Sequence, residues 1–183
     1  MCEGLALVKG EVVACDVVWA EVAATTGARP SQLARLDVAD LQDDRDNARL
    51  LMPSSLKGRG RKRIERRPVP IPASLAAKLR HAAVGRPLDA PLLPRADGGR
   101  WQHADHVQPF ARAAARAGLA QVTAYALRHS SIIRALLAGV PTRVTAALHD
   151  TSAAIIETNY ARYILDHSDT ISRAALLDLT VQS

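Results

Sequence analysis

Apolar positions along this chain fall mostly at helical spacing, broken once by a short stretch that alternates. Over Glu11–Thr25, Val12, Val13, Val18, Trp19 and Val22 lie near a 3.6-residue period that stops before Gly27, which predicts a helix. Pro30 with Ser31 predicts a short helix through Arg35, since proline is pre-shaped for a first helical turn. Leu50–Pro53 and Ile64–Ile71 read as strands, and the Gly58-Arg59-Gly60 turn between them predicts a β-hairpin with basic residues at its tip. Pro68, Pro70 and Pro72 alternate with Val69 and Ile71, which suits an edge strand because proline has no N–H for a ladder. Helices are then expected over Ala73–Ala83, Ala104–Ala117, Ala126–Ala138, Thr142–Leu148, Ser152–Tyr163 and Thr170–Leu179, with Pro87–Gly99 as loop. The order is helices, a small sheet, then helices. It predicts an α+β fold, mainly α-helical with a small antiparallel sheet or hairpin, as a single domain over residues 1–183.

Composition narrows the class. Of 183 residues 48% are hydrophobic and 23% charged, as in globular proteins and unlike disordered ones. Apolar runs are short and interrupted by charge, so no membrane span is expected, and the first residues lack the basic-then-apolar pattern of a secretory signal. Cys2 and Cys15 form neither a disulfide framework nor a C-x-x-C knuckle, which fits a reducing cytoplasm. His103 and His106 have no third ligand at useful spacing, so no metal is expected.

Charge changes the picture more. Lys57–Arg67 holds seven basic residues and one acid; the rest of the chain has 17 of each, so the whole net charge of +6 sits in one segment. A solvated face is the plain reading of such a run. Concentrating all the excess in one place instead marks an electrostatic footprint for a polyanion, with nucleic acid the leading partner. Arg59, Arg61, Lys62, Arg63, Arg66 and Arg67 are the expected DNA-binding residues. The run lacks the interleaved large apolar residues of a membrane-surface helix.

Several side chains are equipped for chemistry. Arg29 follows a glycine turn, Lys57 opens the basic hairpin, Tyr125 and Arg128 stand three apart, and Tyr160 lies near the end of a helix. Two arginines, a lysine and a tyrosine are what phosphoryl transfer through a covalent phosphotyrosine requires. Guanidinium forks neutralise the non-bridging oxygens, a lysine protonates the leaving oxygen, and a phenolate attacks.

In that order the set resembles the catalytic domain of the tyrosine recombinases, the phage-integrase family. Thr26-Gly27-Ala28-Arg29-Pro30-Ser31-Gln32-Leu33 is similar to the family's T-G-x-R-x-x-E-L, with Gln32 in place of the acid and Asp40 where a later acid falls. Lys57 precedes Val69-Pro70-Ile71-Pro72 as the family's lysine precedes V-P-[IL]-P, with Lys62 its rival. Tyr125-Ala126-Leu127-Arg128-His129 resembles H-x-L-R-H. Leu148–Tyr160 aligns without a gap to L-G-H-S-S-I-x-x-I-E-x-x-Y. The resemblance spans about Val12 to Tyr163.

It implies a DNA strand transferase with Arg29, Lys57, Tyr125, Arg128, Asp150 and Tyr160 at the catalytic positions. Cleavage through a 3′-phosphotyrosyl bond needs no metal or nucleotide cofactor. The resemblance also implies a homotetramer on double-stranded DNA, cytoplasmic and associated with the nucleoid. Three departures bear on activity. Asp150 stands where the family usually carries His or Trp, and His149, one residue earlier, points about 100° away if the two are helical. Tyr125 replaces a histidine: it can donate a hydrogen bond to phosphate but shuttles protons poorly at pH 7. Only about ten residues precede the first expected helix, so the family's N-terminal core-binding domain is expected to be absent. A catalytically impaired DNA-binding remnant is therefore the second reading. Tyr163 is the rival nucleophile, and His129 is expected to be buried and hydrogen-bonded.

Overall fold

A computed structural model of the chain describes residues 5–8, 11–44, 46–55, 64–102, 104–165, 168–173 and 175–176. Two compact units are delimited, residues 1–131 and 132–183. The chain begins differently from the helix expected over Glu11–Thr25. Strand β1 (Leu5–Val8) pairs antiparallel with β2 (Glu11–Ala14), in a register from Leu5↔Ala14 to Val8↔Glu11. Val12 and Val13 are β-branched, a residue class that favours a ladder over a helix, where it loses rotamer freedom. Helix α1 (Cys15–Thr26) follows directly.

Helix α1 ends at Gly27, whose φ of +62° is a left-handed conformation that glycine adopts without strain. The Gly27 N–H donates to the Ala23 carbonyl at 2.9 Å. Thr26 Oγ1 closes the same turn, donating to the Val22 carbonyl (2.7 Å) and accepting from the Ala28 N–H (3.2 Å). Helix α2 (Pro30–Leu33) starts at once with proline in its first turn, and a 3-10 turn, Val38–Asp40, leads into the sheet.

That sheet has the order β3-β4-β5, from β3 (Leu41–Gln42), β4 (Arg49–Pro53) and β5 (Arg66–Pro70), all antiparallel. The proline-bearing strand is an edge, as expected, and β3 is too short for a period-2 signal. Leu50 and Met52 from β4 and Val69 from β5 point inward, meeting Val22 and Ala23 of α1 and Leu75, Ala76 and Leu79 of α3 (Ala73–Ala83) in one core. Fully burying each leucine stabilises by roughly 1.5–3 kcal/mol, so this core anchors the turn at residue 27. Trp101, on the loop that returns from α3, completes the core beside Trp19, with ring centroids 5.8 Å apart. Helix α4 (Val107–Arg116) and the start of α5 (Tyr125–Leu137) finish the first unit.

The second unit is smaller and helical: the end of α5, α6 (Thr142–Leu148), α7 (Ala153–Leu165) and α8 (Ser168–Arg173). Its core is Ile132, Leu136, Ala146, Ile156 and Tyr160. Gly139, at φ +75°, ends α5, and Pro141 caps α6. No described helix is long and apolar enough to cross a membrane.

A candidate phosphate-handling site

Arg29 is the N-cap residue of α2, extended at φ −71° and ψ 148°, and its position follows from Gly27 on one side and Pro30 on the other. Its backbone N–H donates to Gln32 Oε1 at 3.0 Å. The amide nitrogen of the same Gln32 donates to the Pro53 carbonyl at 2.8 Å, at the end of β4. Gln32 is buried and spans from the arginine turn to the hairpin strand. A carboxylate at this position would have no donor for the Pro53 carbonyl.

Arg128 lies one turn into α5 and is 7% exposed. Burying a guanidinium is costly unless its donors are used. Here Nη1 donates to the Gly27 carbonyl at 2.8 Å, 101 residues away in sequence. The second arginine is thus seated on the turn that presents the first. Tyr125, the first residue of α5, is 47% exposed, so the pair expected on one face differs in burial. His129 is exposed rather than buried: Arg128 takes the inward direction, and the next residue on a helix is rotated about 100° from it.

Lys57, Arg59, Arg61, Lys62 and Arg63 lie outside the described residues. On either side of them the chain is tied together, with the Ser54 N–H donating to the Glu65 carbonyl at 2.7 Å and the Glu65 N–H to Ser54 Oγ at 3.2 Å. Arg67 is half-buried on β5. Arg66 is paired with acids: Nε lies 2.5 Å from Asp40 Oδ1, and Nη2 3.0 Å from Asp37 Oδ2. The hydrogen bond it donates to Asp40 raises the Arg66 pKa further above its already high ordinary value.

Asp150 and Tyr160 belong to the second unit. Asp150 takes φ +52° in the turn after α6, where an Asp is tolerated better than most side chains, and it is half-buried. His149 is 4% exposed, with its Nδ1 2.8 Å from the Thr145 carbonyl, which fixes the ring plane. Tyr160 is 6% exposed and packs among Ile132, Leu136, Ala146 and Ile156. Tyr163 is half-buried, with its ring 6.4 Å from that of Tyr160 and its hydroxyl accepting from Arg162 Nη2 at 2.6 Å.

The glycine–arginine turn, the buried arginine seated on it and the later helix-borne tyrosine all fall within the span of one family match. The family model described as "Phage integrase family" matches residues 13–163. This chain belongs to the phage integrase family. Solved recombinases share the fold of this integrase-family chain. One is XerH site-specific recombinase bound to palindromic difH substrate in a post-cleavage complex, with 20% identity, a TM-score of 0.63, and coverage of 87% of this chain and 44% of that one. XerA recombinase gives 18% identity and a TM-score of 0.60, over 85% of this chain and 61% of its own. The Tn1549 transposon integrase in complex with transposon right end DNA gives 18% and 0.63, over 88% and 58%. The integrase-family chain thus spans less than two thirds of the length of these recombinases. No curated protein sequence matches it.

Two features of the site are hidden in the sequence. Gln32 stands out there only as a departure from the family's acid, with nothing to show that its amide reaches β4. The pairing of Arg66 with Asp37 and Asp40 has no local signal at all, since 26 residues separate Arg66 from Asp40.

Proposed function

We propose that the chain is the strand-transferring domain of a site-specific DNA recombinase. The observation that carries this reading is the buried Arg128 guanidinium docked on the Gly27 carbonyl, beside the turn that presents Arg29. Two positive forks held near one turn suit the charged equatorial oxygens of a phosphoryl group in flight. Rigid seating matters because such donors act without reorganising at the moment of reaction.

In this reading the Tyr160 phenolate attacks the scissile phosphorus. The bond between phosphorus and the 5′ oxygen breaks, and Lys57 supplies the proton to that leaving oxygen. The DNA 3′ end stays esterified to Tyr160, so the reverse attack by a 5′ hydroxyl of another strand reseals it with no external energy source. Arg29 and Arg128 neutralise the phosphoryl oxygens, and Tyr125 donates a hydrogen bond to one of them. Arg59, Arg61, Lys62, Arg63 and Arg67 hold the duplex, while Arg66, also expected there, is engaged by Asp37 and Asp40. Four copies on two duplexes would exchange the strands, in the cytoplasm on the nucleoid. DNA-bound XerH and Tn1549 integrase structures with this fold support the choice of polymer.

A specific observation favours the impaired alternative. Asp150 puts a carboxylate at the position of a phosphate donor, and a carboxylate repels phosphate. Covalent trapping separates the two readings. The chain and its Tyr160→Phe variant are incubated with nicked suicide duplexes drawn from DNA flanking the gene, then denatured. A DNA-linked band present only with Tyr160 establishes the strand transferase. A band that survives in the variant moves the nucleophile to Tyr163 or elsewhere. Salt-sensitive binding with no band, also when an N-terminal clamp domain is joined to the chain, establishes the remnant.

A further inference from the structure

Within the basic run, Arg66 is partnered by protein groups of the segment that follows the arginine turn. Arg66 donates from Nε to Asp40 Oδ1 at 2.5 Å, and from Nη2 to Asp40 Oδ2 at 3.2 Å and Asp37 Oδ2 at 3.0 Å. Asp37 is shared with Arg100, whose Nη2 lies 2.7 Å from Oδ1 while its Nη1 donates to the carbonyls of Ala34 (3.1 Å) and Leu36 (3.4 Å). Asp40 Oδ2 also accepts the Asp37 N–H at 2.9 Å. Asp40 is 3% exposed. A carboxylate that deep needs partners on its oxygens to offset its desolvation, and here a guanidinium and a backbone N–H engage both.

The position of this cluster matters more than its energy. Asp37 and Asp40 bracket the 3-10 turn that follows α2, the helix Arg29 caps. Arg66 opens β5 opposite Pro53, the last residue of β4. On β4, Gln32 holds the Pro53 carbonyl. Both strands are therefore pinned to the segment 29–40, one through an amide and the other through ion pairs. The two attachments lie at the Pro53–Arg66 end of the pair, beyond the core residues Leu50, Met52 and Val69.

We propose that Arg66 is a positioning residue and makes no phosphate contact: with Asp40 it fixes strands β4 and β5 against the segment that presents Arg29. This rests on the strand-transfer reading above, which supplies the reaction being positioned. A displacement near 1 Å between catalytic groups costs roughly a hundredfold in rate, so loss of this attachment appears in the chemical step and not in DNA affinity.

The test uses the full chain with Arg66→Ala, Arg66→Lys, Asp40→Asn and the Arg66→Ala/Asp40→Asn double variant. Three quantities are measured: the slope of log affinity against log salt on duplex DNA, the single-turnover rate of covalent adduct formation with saturating suicide duplex, and hydrogen exchange at the β5 amides. Arg66→Ala should leave the salt slope unchanged, slow the adduct step by about tenfold to a hundredfold and reduce β5 protection. Arg66→Lys, which can reach one carboxylate, should recover part of the rate. The double variant should be no slower than Arg66→Ala, because both changes remove one interaction. A slope smaller by about 0.9 in Arg66→Ala makes the residue a phosphate ligand and overturns the inference. So does an unchanged adduct rate, or a double variant slower by the product of the two single effects. If the unaltered chain forms no adduct, it is the strand-transfer reading that fails. The pinning is then judged by exchange alone, where unchanged β5 protection in Arg66→Ala refutes it.

Discussion

Arg128 illustrates how one side chain links structure and chemistry. Its fork is buried because it holds the Gly27 carbonyl, and that carbonyl is available because Gly27 turns through a left-handed φ. Arg128→Ala removes a charge-assisted hydrogen bond worth about 1.5–3 kcal/mol and, in the proposed reaction, the positive charge at the phosphate. It should abolish adduct formation on suicide duplexes while leaving a cooperative, lower-melting fold, read by circular dichroism. Arg128→Lys keeps the charge without the planar fork and should recover only a small part of the rate. A variant Arg128→Ala that cuts DNA normally would relocate the site. The identities of Arg29, Arg128 and Tyr160 are legible in the sequence because short blocks surround them. The role of Gln32 is not, because the partner of its amide comes from a strand 21 residues on.

Among the elements, helices α3 and α6 match their expected bounds, and α5 and α7 differ by one or two residues at their ends. Their apolar faces and their glycine or proline stops are local signals. The opening β1–β2 hairpin differs from the expected helix because Val12 and Val13 fit a helical period as well as a ladder, and only the partner strand decides. The loops show another property that only the fold provides. Arg80 holds the Asp43 carboxyl below its ordinary pKa, and Arg95 does the same for Asp97. Asp105 is lowered first by the Gln102 N–H and then by Arg95. A depressed folded pKa means stability present above the unfolded value, near 3.9, and lost as pH falls through the folded one. Melting temperature should therefore decline below about pH 4, and Arg95→Gln should flatten part of that decline. Exposed pairs contribute little each, so a profile indifferent to Arg95→Gln would mean that other carboxylates dominate acid unfolding.

Across the whole molecule, charge is the simplest property to predict and to test. Outside Lys57–Arg67 the chain is neutral, so replacing Arg59, Arg61, Lys62 and Arg63 with glutamine should weaken duplex binding. Its salt dependence should flatten by about 0.9 in slope for each phosphate no longer neutralised. An unchanged slope would make the run a solvated face. The order of the sequence blocks makes the family legible, because no single block is specific and four in register are. The division of the chain into units 1–131 and 132–183 is not legible. It depends on which apolar faces find each other, and Ile132, Leu136 and Ile156 look in sequence like any other helical stripe. The edge strand has a further consequence. Pro68 and Pro70 remove alternate donors from β5, the outer strand of its sheet, and both rings face solvent. A neighbour approaching that border finds carbonyls but too few N–H groups to extend the sheet. High local concentration is thereby uncoupled from fibril growth along this border.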